Sequence, residues 1–285
     1  MLAPTRAELA AVVAPARRSG RPIGFVPTMG ALHQGHASLF RRARAEVGPD
    51  GLVVASIFVN PLQFGPNEDF ERYPRTLEAD LQMCADEGVE AVFAPAVAEV
   101  YPGGEPQVSV EPGPLGSILE GRTRPGHFRG VLTVVAKLFG LVGPDLAVFG
   151  QKDYQQLALI GRMVTDLCLP VTVIGAETVR EPDGLAMSSR NRYLDPEQRQ
   201  TATALNQALR AGQDAAVDGV SAALAAARAV LDRPGVELDC LVVTAADLGD
   251  LPADPAPGTE GRILVAARVG TPRLLDNMPI VIGRR

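Results

Sequence analysis

A chain of 285 residues, 46% of them hydrophobic, with a formal charge of −6, can bury roughly 75% of its unfolded surface without disulfide staples. Acids and bases are interspersed, which excludes the basic face that nucleic acid or an anionic membrane would need. No run approaches the ~20 apolar residues of a membrane span.

Residues 1–21 form an Ala-rich helical pattern interrupted at Pro15 and Arg17-Arg18, with no apolar stretch of signal-peptide length, so the chain is read as cytoplasmic. Strand-like runs then alternate with helical ones: 22–27 before 37–47, 51–60 before 75–87, then 89–94. In the first of these helices Leu39, Phe40, Ala43 and Val47 make an apolar stripe. The run Leu52 to Val59 is apolar throughout, as in a strand covered on both faces. Residues 101–126 are rich in proline and glycine around a short strand at 108–110, and their length suits a functional loop or lid. A helix at 128–141, a strand at 145–150, a helix at 153–167 and a strand at 171–176 resume the rhythm. Beyond Val179 the texture changes, with a polar turn-rich segment, a long Ala-rich helix over 195–216, a second over 220–231, and strands at 238–245 and 263–269.

This alternation predicts an α/β fold, a Rossmann-like doubly wound parallel sheet in residues 1–178 followed by a smaller α+β domain in 179–285 acting as a lid. Three widely spaced cysteines, Cys84, Cys168 and Cys240, suit reduced core thiols better than a disulfide framework.

Chemistry concentrates first where the apolar Ile23-Gly24-Phe25-Val26 runs into Pro27-Thr28-Met29-Gly30-Ala31-Leu32-His33-Gln34-Gly35-His36. A strand that turns through glycine into a helix N-terminus offers unpaired N–H groups and a positive partial charge to phosphate. Gly35 permits close backbone approach, and His33 and His36 can donate to oxygens that gain charge in a transition state. Helix capping and zinc binding are the alternatives, and zinc would need further ligands nearby.

Asn60 and Gln63 follow the next strand, where open α/β sheets bind ligands, and amides there offer both donor and acceptor to a hydroxy acid. A loop-capping amide pair is the competing reading. Gly150-Gln151-Lys152-Asp153 is a second strand-end turn. Of the 27 basic residues only Lys137 and Lys152 are lysines, and a compact ammonium can follow charge moving between oxygens in a way guanidinium cannot. Met187-Ser188-Ser189-Arg190 can grip phosphates with hydroxyls and a guanidinium, or simply cap a helix.

The His-x-Gly-His turn resembles the signature of the nucleotidyltransferase superfamily that includes class I aminoacyl-tRNA synthetases. Further motifs narrow the resemblance to the pantothenate synthetase family: Ser56 to Phe64, Tyr73-Pro74-Arg75-Thr76, Glu120 to Val131, Phe149 to Gln156, and Asp183 to Asn191. The resemblance implies an ATP-dependent ligase that joins pantoate to β-alanine through a pantoyl adenylate, releasing pyrophosphate and AMP. It implies ATP contacts from Pro27, Met29, Gly30, Ala31, Leu32, His33, Gln34, Gly35 and His36, from Gly150 through Asp153, and from Met187, Ser188, Ser189 and Arg190, with Val179 beside the adenine. His36, His33, Lys152 and Arg190 are the implied catalytic groups, and Asp153 holds the ribose or orients the lysine. Gln63 and Gln156, with Asn60, are expected to hold pantoate, Gln63 also nearing the amine, while Arg124 and His127 cover the substrates. Asp80 is expected near Mg²⁺-bound phosphates, directly or through water, or paired with Arg190. A homodimer is implied as well. Two other readings stay open on residues alone: transfer of AMP to a phosphorylated acceptor, and a non-catalytic nucleotide sensor.

Overall fold

The computed structural model describes residues 1–65, 70–252 and 254–283. The chain divides into two compact units, one of Met1–Gln151 with Gln155–Glu177, the other of Lys152–Tyr154 with the chain from Thr178 onward.

The first unit contains, in order, β1 (Leu2–Ala3), α1 (Arg6–Arg18), β2 (Ile23–Thr28), α2 (Gln34–Val47), β3 (Leu52–Ile57), α3 (Leu77–Asp86), β4 (Ala91–Phe93), α4 (Val97–Val100), α5 (Glu120–Thr123), α6 (His127–Val142), β5 (Leu146–Gly150), α7 (Tyr154–Asp166) and β6 (Thr172–Ala176). Its strands pair in parallel in the order β1-β4-β3-β2-β5-β6. Phe25, Val54 and Phe93 enter one core with Leu9 and Val13 of α1 and Val131 and Val135 of α6. Val26, Val53 and Val92 enter another with Phe40 and Ala43 of α2. Helices thus cover both faces, which is why the central strands show no polar alternation. The strand order reverses at β2, so the carboxyl ends of the neighbouring β2 and β5 flank the switch point where such sheets bind ligands.

Three expectations need correction. Residues 108–110 form no strand: Val108 is 84% exposed, with no strand beside it to pair with among the described residues. α1 continues through Pro15, because that residue lies on the exposed face near the helix end, where the carbonyl it leaves unpaired can meet water. Of the cysteines only Cys84 is a core thiol; Cys168 is exposed in the turn after α7 at φ 51°, and Cys240 is half-buried.

The second unit adds α8 (Pro196–Thr201), α9 (Ala204–Ala215), α10 (Val220–Leu231), β7 (Glu237–Ala245), β8 (Thr259–Arg268) and β9 (Arg273–Ile282). The single helix expected over 195–216 is two, separated by a turn at Ala202 and Thr203. An antiparallel sheet, β7-β8-β9, packs Ile263, Val265, Leu274, Met278 and Ile280 against Leu205 and Leu209 of α9 and Ala223 and Ala227 of α10. β9 escapes a reading by pattern because Asp276, Asn277 and Pro279 interrupt its apolar run; proline is tolerated there because the strand is at an edge. Among the described residues no helix is long and apolar enough to cross a membrane.

Candidate active site

The turn from β2 into α2 is built around the two imidazoles. His33 is the N-cap of α2, and its Nδ1 accepts from the Gly35 N–H at 3.1 Å. His36, at the third helical position, returns the contact, its Nδ1 accepting from the His33 N–H at 3.2 Å. This is a capping box in which ring nitrogens replace the usual hydroxyl and carboxylate. A nitrogen that accepts an N–H keeps its lone pair there, so each neutral ring carries its proton on Nε2. The capping alternative is therefore real, and it also prepares two Nε2–H donors. The rings lie 4.2 Å apart between centroids.

Before the box the backbone runs through the left-handed region at Gly30 (φ 83°) and Ala31 (φ 51°). Alanine there costs about 1–2 kcal/mol. Asp80 of α3 holds the conformation: its carboxylate accepts from Ala31 N at 3.0 Å and Leu32 N at 2.8 Å, and from Thr76 Oγ1 at 3.1 Å. A Cβ on Gly30 would lie 2.9 Å from Asp80 Oδ2. Asp80 is 2% exposed and both its oxygens are engaged by this loop and Thr76, so of the expected arrangements the direct metal contact is the one this geometry disfavours. Pro27 remains within β2, paired with Ser56 of β3.

After β3 the chain turns at Asn60, whose amide is saturated by protein. Its Nδ2 donates to Gly130 O (3.1 Å) and Gln63 Oε1 (3.2 Å), while its Oδ1 accepts from Tyr101 Oη (2.8 Å) and Leu62 N (3.3 Å). At 1% exposure Asn60 is a scaffold for Gln63 rather than a substrate contact. Gln63 sets its own Nε2 on Met29 Sδ, a weak acceptor, which ties it to the histidine turn. Gly130 lets α6 approach this loop: a Cβ there would lie 2.2 Å from Leu62 O.

His127 is buried and bridges two neighbours. Its Nδ1 contacts Gln63 O at 2.8 Å, so that nitrogen bears the proton, and its Nε2 accepts from Arg124 Nη1 at 3.0 Å. Arg124 also donates to Gln63 O. His127 is thus corrected from a substrate cover to a residue that positions Arg124 and Gln63. Gln156 is half-buried, while the adjacent Gln155 is buried and bonds Glu120 N, Leu115 O and Ile118 O. Gly150 ends β5, and Gln151 donates to Gly175 O at 3.3 Å.

The second unit gathers another set. Lys152, Ser188, Arg190, Asn191, Arg273 and Asp276 line one crevice. Arg273 is paired with Asp239 and Asp276 with Arg180, which leaves Lys152 and Arg190 as the cations that favour an anion there, and the buried Asn191 Oδ1 has no partner among the described residues. Ser188 Oγ accepts from Arg190 N at 3.3 Å, capping the short 3-10 turn Ser189–Tyr193, so the capping alternative holds alongside the phosphate reading. The segment before it is a hairpin: Val179 O accepts from Met187 N, Arg180 pairs with Ala186, and Gly184 sits at φ 93°. Arg180 is fastened to Asp276 of β9 by two bonds of 2.6 and 2.9 Å. Asp183 pairs with Arg199, which holds its carboxyl below the usual range with help from the Leu185 N–H. Asp153 is half-exposed, and its 3.7 Å separation from Lys152 Nζ orients the lysine weakly.

Sequence reading quoted Thr76 within a motif without giving it a role, and missed Tyr101, Arg180, Asp276 and Asn277. The adjacent polar pair within β9 was the available signal for the last two.

A family model described as pantoate-beta-alanine ligase matches residues 2–279. A pantothenate synthetase from Nocardioides sp. is 67% identical over 100% of this chain and 86% of its own length. One from Mycolicibacterium smegmatis is 57% identical over 97% of this chain and 86% of its own. The crystal structure of pantothenate synthetase from Thermus thermophilus superposes with a TM-score of 0.88 at 49% identity, covering 97% of this chain and 98% of that one. A pantoate-beta-alanine ligase from Francisella tularensis, complexed with beta-gamma ATP and beta-alanine, gives 0.79 at 34% identity, covering 98% and 97%.

Proposed function

The chain belongs to the pantoate-beta-alanine ligase family and is a ligase, and from that premise we propose that it condenses pantoate with β-alanine through a pantoyl adenylate. In the first half-reaction the pantoate carboxylate attacks the α-phosphorus of ATP and pyrophosphate leaves. In the second, the β-alanine amine attacks the acyl carbon and AMP leaves, giving pantothenate.

The observation that carries this reading is the imidazole capping box at the carboxyl end of β2. A helix N-terminus with two Nε2–H donors suits phosphoryl oxygens that gain charge as the α-phosphorus is attacked. Lys152 is assigned to neutralise the attacking carboxylate and α-phosphate, and Ser188, Ser189 and Arg190 to hold the departing pyrophosphate. Gln63 and Gln156 are assigned to pantoate, with Arg124 beside Gln63 as a cation for its carboxylate.

Mg²⁺ is proposed to arrive as part of the substrate, Mg·ATP. Among the described residues no group of three or more His, Cys, Asp or Glu side chains could hold a metal ion, and Asp80 is committed to the loop, so the donor set does not fit a resident ion and no step is assigned to one. A cytoplasmic homodimer is proposed in keeping with the family.

Exchange of labelled pyrophosphate into ATP, with pantoate and without β-alanine, tests the reading. Pantoate-dependent exchange is expected; its absence removes the adenylate and the first half-reaction with it.

A further inference from the structure

Within the second unit, β9 carries Asp276 and Asn277 side by side, each 3% exposed. Asp276 lies on the face shared with Leu274, Met278 and Ile280 and is answered by Arg180. Asn277 lies on the other face, where Pro279 and Val281 are exposed. An amide buried on an otherwise open face must be covered by something that pairs it. The cover is Lys152–Tyr154, three residues that join this unit from the turn after β5.

The pairing is directional. Arg262 of β8 stands opposite Pro279, making it a diagonal neighbour of Asn277 on the same face. Its Nε donates to Asn277 Oδ1 at 2.7 Å, and its Cζ lies 3.7 Å from the centroid of the Tyr154 ring, whose hydroxyl donates to Ala246 O. A guanidinium can only donate, so it fixes which end of the amide is oxygen and turns the NH₂ the other way. That NH₂ donates to the backbone carbonyl of Lys152 at 2.9 Å.

We infer that Asn277 is a positioning residue for the ligase reaction, holding the main chain of Lys152 so that its ammonium is delivered from a fixed base. A lysine stem has four rotatable carbons, and a wandering Cα would add to that freedom. The inference rests on the reading of Lys152 given above.

Two variants test it. Asn277→Asp keeps an acceptor for Arg262 and loses the donor to Lys152 O; Asn277→Ala loses both. In pyrophosphate exchange kcat is expected to fall roughly 10- to 100-fold in both, the scale set by misplacement of a reacting group. KM for ATP should stay within about threefold, the signature of an interaction made chiefly in the transition state. The melting temperature should drop in Asn277→Ala and stay near wild type in Asn277→Asp. In a Lys152→Ala background, Asn277→Asp should lower the residual exchange by less than about twofold, because the residue through which it acts is gone.

Wild-type kcat in Asn277→Asp, a loss that follows melting temperature, or a full loss persisting without Lys152 overturns the positioning role. Wild-type enzyme without pantoate-dependent exchange overturns the functional reading first, and this inference with it.

Discussion

Replacing Asp80 by asparagine separates a loop clamp from a metal ligand. The carboxylate receives the Ala31 and Leu32 N–H groups at 3.0 and 2.8 Å, and Thr76 Oγ1 at 3.1 Å. Asparagine offers one oxygen and one NH₂, so one backbone N–H meets a donor. A hydrogen bond to a charged group contributes about 1.5–3 kcal/mol, and the clamp also restrains the left-handed Ala31, a strain of about 1–2 kcal/mol. The expected destabilisation is about 2–4 kcal/mol, or a melting temperature lower by roughly 4–16 °C at the few degrees per kcal/mol typical of this size. Thermal unfolding gives the first number. Exchange assays across a Mg²⁺ titration give the second, with the rate reduced and the half-saturating Mg²⁺ unchanged. Ala31→Gly added to Asp80→Asn should recover part of the stability by removing the strain. A variant that melts like wild type but demands far more Mg²⁺ would refute the clamp and restore Asp80 to the metal.

Lys152→Ala should cut pyrophosphate exchange to a small residual rate and leave the far-ultraviolet circular dichroism spectrum unchanged; near-normal exchange would show the lysine misassigned. Gly130→Ala drives a methyl group onto the Leu62 carbonyl, a backbone atom that cannot swing aside, so it should cost about 1–3 kcal/mol in urea unfolding and raise KM for pantoate through Gln63. Asp276→Asn leaves the partly buried Arg180 without its counter-charge, which should destabilise the second unit by somewhat less than the roughly 3–5 kcal/mol of a fully buried pair, detectable as earlier proteolysis of that unit. Burial, reinforced by the Asp80 charge, pushes the Cys84 thiol from 9.0 up to about 12. The unfolded thiol therefore ionises first, and stability from this group is intact below about pH 9 and falls by about 1.4 kcal/mol per pH unit above it. Urea titrations at pH 8, 9, 10 and 11 should show a near-plateau at the low end and that slope at the high end, and Cys84→Ala should lack its share.

How much of this was legible before the fold differs residue by residue. His33 and His36 announced themselves because four residues of sequence span the whole capping box, so local spacing already carries the contact. The doubly wound class was legible for a similar reason: β2 and β3 are apolar on both faces, and only a sheet covered twice asks for that. Asn60 misled, because an amide at a strand end looks the same whether it meets a ligand or, as here, Tyr101 and Gly130 from 41 and 70 residues away. His127 misled likewise, its ring engaged between Gln63 and Arg124.

Sequence by itself determined the alternation of elements, the histidine turn and the motifs that carry family membership, since each depends on neighbours within a few residues. Tertiary structure decided that Asp80 clamps a strained turn, that Lys152 shares a crevice with Ser188 and Arg190, and that Asn277 holds the lysine's carbonyl. Those contacts join residues 36 to 125 positions apart, where the partner of a polar group is chosen by packing and desolvation, and no local pattern encodes the choice.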